Sequence, residues 1–343
     1  MYIVGFGIGQ LLIGPLSDHI GRKKVLCGSL ILFCFLCLSA TTSKTIQFLM
    51  LIRFFQGVSV SGQVLNVRAI TADICHGEDL RRASIYITTA WTLSPIIAPM
   101  IGGYFQEYLG WQYSFYFLSI YSLLMLITLL ILLPETNSIR PAFNMNKTIK
   151  NYTKILLDYT FMKNALSLAF AFSMINVFNT LAPYILQSEL NYSPSTYGHY
   201  ATLLGISCFI GSIANKFIMK RYTIETVIKR SLLLVITFSL GCMIVSHWVG
   251  LHVAIVILSS TVAIFFAGML YPNYSANCSS MYKEMAGTAA AMRGFASMTC
   301  SAMIIFLISF VPNHSILLFI SVYFVLGICM YFIFDNPMTR QRR

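Results

Sequence analysis

Eleven stretches of this chain are apolar over a length that crosses a bilayer or nearly does. They run Met1–Leu16, Val25–Thr41, Ile46–Ala72, Ser84–Tyr108, Trp111–Leu133, Phe161–Gln187, Tyr197–Phe217, Val227–His247, Gly250–Cys278, Met285–Phe310 and Ser315–Phe334. Hydrocarbon offers no water to a peptide group, so a lipid-embedded backbone must satisfy its own hydrogen bonds, and a long apolar run does so as a helix. Composition agrees. Of 343 residues, 57% are hydrophobic and 10% charged, with mean hydropathy +0.75, whereas a soluble domain carries about 25% charged residues. The expected fold class is an all-α polytopic membrane protein, and a soluble or enzymatic role is excluded.

Charge sets the orientation. All but Lys44, Arg53 and Arg293 of the 23 Lys and Arg residues fall on one side of the expected spans, at positions 22–24, 68, 81–82, 140–163, 216–230, 283 and 340–343. The positive-inside rule puts that side, and the C-terminus with it, in the cytoplasm, as in a multi-pass protein of the inner (cytoplasmic) membrane. The net charge of +12 therefore reports orientation in a lipid bilayer. Nucleic-acid binding needs a basic soluble module, and no segment supplies one. The same parity puts Met1 outside, at the head of a short first segment without flanking charge. A further helix before it would repair both features.

The polar stretch Pro134–Thr160 carries Arg140, Lys147, Lys150 and Lys154 and divides five spans from six. The expected organisation is an N-terminal helical bundle over 1–133, a cytoplasmic linker over 134–160, a six-helix bundle over 161–335 and a basic cytoplasmic tail over 336–343. An internal echo supports a duplication. Gly14-x-x-x-Asp18 followed by Arg22-Lys23 recurs as Gly211-x-x-x-Asn215 followed by Lys220-Arg221. Weak symmetry between halves is typical of secondary transporters.

Several residues could carry chemistry. Arg53 lies seven residues into the third segment, roughly 10 Å of helix rise. An arginine at that depth costs several kcal/mol unless it faces protein or water. Gln56, Gln63 and Asn66 follow at helical spacing and give this helix a polar stripe. Two readings stand: a cavity-facing cation with glutamines lining it, or an arginine snorkelling outward while the glutamines bond neighbouring helices. Asn176 and Asn179, with Ser173 and Thr180, mark one face of a later segment, as cavity lining or as interhelical bonding. In Ser94-Pro95-Ile-Ile-Ala98-Pro99-Met-Ile-Gly102-Gly103, prolines free backbone carbonyls and small residues admit a close neighbour, which describes a kinked, tightly packed helix able to pivot.

Between the first two segments lies the charged run Gly14-Pro-Leu-Ser-Asp18-His-Ile-Gly21-Arg22-Lys23-Lys24, expected as a hairpin loop. Asp18 can accept hydrogen bonds from a neighbouring helix N-terminus. Arg22 can pair with an acid such as Asp73, and together they would latch the cytoplasmic face; alternatively Arg22 to Lys24 serve topology alone. Cys34-Phe-Leu-Cys37 has redox spacing but no polar surroundings, and all nine cysteines are read as small apolar residues. The histidines have no metal-ligand spacing, and no phosphate loop or nucleophile elbow occurs, so neither metal nor cofactor is expected. No carboxylate falls deep inside any segment.

The hairpin pattern Gly14-x-x-x-Asp18-x-x-Gly21-Arg22-Lys23 resembles the signature loop of the major facilitator superfamily, in particular its drug:proton antiporter branch. Leu51-Ile-Arg53-Phe-Phe-Gln56-Gly57 resembles that family's second motif, Arg-x-x-x-Gly on its fourth helix, which implies that Arg53 faces a central cavity and takes part in proton coupling. The proline run resembles the antiporter motif Gly-x-x-x-Gly-Pro-x-x-Gly-Gly, with Ser94 and Ala98 at its first two glycines, and implies efflux. Tyr271-Pro272-Asn273 and Ala286-Gly287-Thr288-Ala289-Ala290-Ala291 resemble the bicyclomycin/chloramphenicol-resistance type. Arg293 departs from that type, which has an apolar residue there; it either snorkels or adds charge to the cavity.

The resemblance covers essentially the whole chain. It implies two pseudo-symmetric helical bundles around a cavity, with eleven visible spans of an expected twelve, the absent first helix holding the coupling acid. The implied activity is proton-coupled export of drug-like or amphiphilic small molecules by alternating access, by a monomer whose partners are substrate, protons and lipid. Gly14, Asp18, Gly21 and Arg22 would form the gate, and the Pro95/Pro99/Gly102/Gly103 helix would flex. A transporter of a defined siderophore, metabolite or other anion would share these motifs, and a truncated membrane protein without transport is a third reading.

Overall fold

The computed structural model describes residues 1–136, 145–249, 252–282, 285–310 and 316–335. The expected tail at 336–343 and Arg140 of the linker lie outside them. Its helices are α1 (Tyr2–Ile20), α2 (Arg22–Thr41), α3 (Ile46–Ile74), α4 (Gly77–Tyr108), α5 (Gln112–Leu132), α6 (Met145–Leu156), α7 (Tyr159–Pro183), α8 (Pro194–Ile218), α9 (Ile224–Val249), α10 (Val253–Met281), α11 (Ala286–Ser309) and α12 (Ile316–Asp335). Among the described residues, 11 helices are long and apolar enough to span a membrane. They coincide with the eleven expected segments to within a few residues at most ends.

The differences have local causes. α4 begins well before Ser84, because the polar start Gly77-Glu78-Asp79-Leu80 places two acids in the first turn, where the helix dipole favours them. α7 relaxes at Pro183 into one wider turn, Tyr184–Glu189. The polar composition of the linker does not announce α6, yet twelve of its residues form a helix.

By packing, the helices gather into two compact units. The first holds Met1–Ala90, Tyr108–Asp158 and Tyr282–Ala302; the second holds Trp91–Glu107, Tyr159–Met281 and the described residues from Met303. α4 and α11 are therefore each shared between units. In the first unit α1 packs on α3, α3 on α2 and α2 on α5. In the second unit α8 packs on α10, α10 on α9 and α9 on α12. The same order of neighbours appears twice, as a duplicated helical bundle requires.

Two details deepen the repeat. Lipid chains are as apolar as leucine, so membrane helices associate through close backbone approach rather than through water exclusion. A β-carbon on Gly57 would run into the Tyr2 carbonyl of α1, and one on Gly211 of α8 into the Phe265 carbonyl of α10. Each pair also closes on a buried amide. Asn66 Nδ2 donates to the Gly62 carbonyl one turn back (2.7 Å), and its Oδ1 accepts the Ser17 hydroxyl of α1. Asn273 Nδ2 donates to the Met269 carbonyl (3.1 Å) and exchanges amide hydrogen bonds with Asn215 of α8 (3.0 Å each way). Asn215 is thus buried, while Asp18, its counterpart in the sequence echo, is exposed.

Leu168, Met174, Phe178, Leu232, Leu270, Phe319 and Tyr323 centre the larger core, in the second unit. Outward-facing apolar residues such as Phe35, Ile131 and Phe332 are 65%, 75% and 69% exposed, a surface that a bilayer covers and water would not tolerate. The glycine seams yield a direct expectation. Gly211→Val should cost about 2–3 kcal/mol, because overpacking here meets backbone rather than a movable side chain. Gly241→Ala, with open space around it, should be neutral or slightly stabilising; thermal unfolding of both variants in detergent checks the contrast.

Candidate functional site

Arg53 sits seven residues into α3, whose start is capped by the Thr45 hydroxyl accepting from the Phe48 N–H (3.4 Å). Its Nη1 donates to Gln56 Oε1 at 3.1 Å. The guanidinium carbon stands 4.8 Å from the Tyr2 ring centre on α1 and 5.8 Å from the Phe115 ring centre on α5. Gln56 is buried and turns its amide nitrogen to Cys37 Sγ on α2 (3.5 Å). The guanidinium is therefore held against protein, with two aromatic faces and one amide around it. Cation–π contacts of about 0.5–2 kcal/mol each offset part of the several kcal/mol that the charge costs in a span. Among the described residues, no carboxylate pairs with it.

The rest of the stripe divides in two. Asn66 is consumed by α1 and by its own helix. Gln63 is different: its amide nitrogen is buried with no hydrogen-bond partner. An unmet buried donor costs about 1–3 kcal/mol. Asn176 and Asn179 lie on α7 in the other unit. Asn176 Nδ2 bonds the Phe172 carbonyl of its own helix at 3.3 Å, and Asn179 is exposed.

The proline segment lies within α4. Pro99 has no N–H to offer the Pro95 carbonyl one turn back. Gly205 of α8 lies against that oxygen, close enough that a β-carbon there would be 2.9 Å from it. Thr202 Oγ1 donates to the neighbouring Ile96 carbonyl at 2.9 Å. Farther along, Tyr104 and His199 share a hydrogen bond (3.1 Å), and Glu107 accepts the Ser195 N–H (2.9 Å) in the first turn of α8. Close packing was expected of Gly102 and Gly103. Only Gly103 meets a neighbour, the Pro194 carbonyl at 2.5 Å from a β-carbon; Gly102 faces open space.

The charged run between α1 and α2 is not the loop expected of it. α1 stays helical through Gly14 and Asp18 to Ile20, α2 starts at Arg22, and Gly21 alone breaks the helix, with φ 116° and ψ 139°. Only glycine takes that conformation without strain. Asp18 stands 3.5 Å from Arg22. Arg22 reaches the end of α3, pairing with Asp73 and donating to the Ala69 carbonyl at 2.8 Å. Asp73 also accepts the Thr136 hydroxyl (3.0 Å).

Glu135 takes the N-terminus of α2: it accepts the N–H groups of Arg22 (3.0 Å) and Lys23 (3.4 Å) from just beyond α5. Nothing local betrays a cap 113 residues away. The cluster braces α2, α3 and the end of α5 within the first unit. Glu135→Ala should cost about 1 kcal/mol through the lost cap. Asp73→Asn should cost about 1–2 kcal/mol, between an exposed and a buried ion pair. Unfolding midpoints in detergent check both.

A sequence model of the Major Facilitator Superfamily matches residues 1–302 of this chain. An uncharacterized transporter of Rickettsia bellii is 27% identical over 347 residues, covering 96% of this chain and 83% of that protein. Multidrug resistance protein D of Escherichia coli is 24% identical over 294 residues, covering 85% of this chain and 73% of its own length. Among solved structures, a D-xylose-proton symporter matches with a TM-score of 0.74 at 14% identity, over 96% of this chain and 85% of that one; at that identity the likeness is one of fold. Eleven membrane-length helices among the described residues, a duplicated neighbour order and a matching family model over most of its length lead to one assignment: the chain belongs to the Major Facilitator Superfamily of membrane transporters.

Proposed function

We propose that this chain exports drug-like or amphiphilic small molecules across the inner membrane, by alternating access and against an inward flow of protons. It works as a monomer with its C-terminus in the cytoplasm. The observation that carries this reading is the Arg53 group. A cation inside a span, faced by Tyr2 and Phe115 and backed by Gln56, shares its helix stripe with an unmet amide donor on Gln63. Aromatic faces suit flat amphiphiles, and a few placed polar groups orient them. The name of the Escherichia coli relative, a multidrug resistance protein, supports export of such compounds.

In this reading Arg53 couples the proton to the substrate. A fixed positive charge favours the ionised form of any acid brought beside it, so moving substrate or helices around Arg53 changes how tightly a proton is held. Arg22, Asp18, Asp73 and Glu135 hold the cytoplasmic ends of α1, α2 and α3 in the state that closes that side. The α4 stretch from Pro95 to Gly103 flexes as access alternates.

A second reading has its own support. Arg53 contacts no carboxylate among the described residues, and a net positive site suits an organic anion. Everted membrane vesicles carrying a proton gradient separate the two. Under the drug-export reading, a lipophilic cationic dye dissipates the gradient, and Arg53→Gln lowers that response at least about tenfold, the effect of 1.4 kcal/mol lost from the coupled step. Gln63→Leu should raise the apparent KM severalfold with a smaller change in kcat, because it removes a binding donor. A response to organic anions alone would favour the second reading. An unimpaired Arg53→Gln protein would remove Arg53 from the mechanism, and silence to both ligand classes would end both readings.

A further inference from the structure

α6 is divided lengthwise into three strips. Tyr152 and Ile155, three residues apart, face the protein: Ile155 is fully buried, and the Tyr152 hydroxyl donates to the Leu11 carbonyl of α1 at 3.1 Å. That carbonyl is available because Pro15, one turn on, has no N–H for it. Burial, and then the Asp18 carboxylate, push the Tyr152 phenol up to about 12, so it remains a donor. A second strip is apolar and bare. Ile149 and Leu156, seven residues apart and so on one face, are 54% and 51% exposed, and Leu157 just beyond is 77% exposed. The third strip is cationic. Lys150 and Lys154, four residues apart, are exposed, and helical periodicity places them across the helix from Tyr152 and Ile155.

Water suits the lysines and rejects the bare aliphatics; hydrocarbon does the reverse. A helix with protein on one side, apolar side chains on the next and lysines on the third matches one environment, the boundary between acyl chains and headgroups. Covalent connection keeps α6 there. Only Leu157 and Asp158 separate it from the membrane-spanning α7, and Asp158 is itself held by the Tyr282 hydroxyl at 2.6 Å.

We infer that α6 is a docking surface for anionic phospholipid. Ile149, Leu156 and Leu157 enter the acyl boundary, and Lys150 and Lys154 hold the negatively charged headgroup. Zwitterionic lipid satisfies the apolar strip equally well but leaves the lysines without net negative partners. Because Tyr152 joins α6 to the proline-freed carbonyl of α1, a lipid seated on α6 also steadies the helix that carries Asp18.

The test uses the full chain in vesicles, with Ile149→Trp as a reporter and the parent protein subtracted for its native tryptophans. Brominated phosphatidylglycerol, as a minor component of phosphatidylcholine vesicles, should quench the added indole severalfold more than brominated phosphatidylcholine at the same fraction. Lys150→Gln and Lys154→Gln should each reduce that preference about fivefold, the effect expected of one basic residue at a membrane surface. Lys150→Arg with Lys154→Arg should retain it, which separates charge from folding. An indole quenched by neither lipid would overturn the placement of the apolar strip. Equal quenching by both lipids, or a preference that survives loss of both lysines, would overturn the anionic specificity.

Discussion

Backbone polar groups have no solvent in hydrocarbon, and the structure is organised around that constraint. The long helices satisfy it for nearly every residue. Proline breaks the pattern, and at two described prolines the freed carbonyl has an identifiable neighbour. Pro15 releases the Leu11 carbonyl, and Tyr152 of α6 donates to it. Pro99 releases the Pro95 carbonyl, and Gly205 of α8 brings its own backbone against it while Thr202 bonds the next carbonyl along. At both prolines, a neighbouring helix lies where the carbonyl is freed.

Helix ends pose the same problem in polar form. The first N–H groups of a helix have no partners within it, and two of the spans borrow a carboxylate from elsewhere in the chain. Glu135 serves α2 and Glu107 serves α8. Each bond ties together segments far apart in sequence, so the cap also fixes how neighbouring helices meet. The Arg22–Asp73 pair adds a second tie at the α2 end. Inside the spans many hydroxyls and amides bond a carbonyl one turn back in their own helix, and others join helices: Asn66 with Ser17, Asn215 with Asn273, Ser122 with the Leu30 carbonyl. Among the described residues the Gln63 amide nitrogen is one of a few buried polar atoms without a hydrogen-bond partner, and Arg53 has no carboxylate beside it.

The candidate site was legible in part. Arg53, Gln56 and Gln63 announce themselves by residue type and spacing, because polar groups at membrane depth are rare. The Arg22–Asp73 pair also followed from their shared side of the membrane. What spacing did not separate was Asn66 from Gln63, two amides on one stripe with opposite fates. That difference depends on whether a hydroxyl from α1 lies opposite, which is a property of the packed pair. Gly102 and Gly103 fail to separate for the same reason: adjacent residues on a helix point about 100° apart, and only one of them meets α8.

The apolar segments, their number and their helical state were determined by the amino-acid sequence alone, because lipid solvation acts on each segment independently of the others. So was the duplicated plan, which the Gly14/Gly211 echo hinted at. Tertiary structure decided the rest. It made a helix of twelve linker residues, placed a single glycine where a loop was expected, brought Glu135 to the start of α2, and sorted polar residues into those bonded across helices and those left open. Each of these outcomes depends on contacts between residues distant in the chain, and a one-dimensional pattern carries no information about which distant atoms will meet.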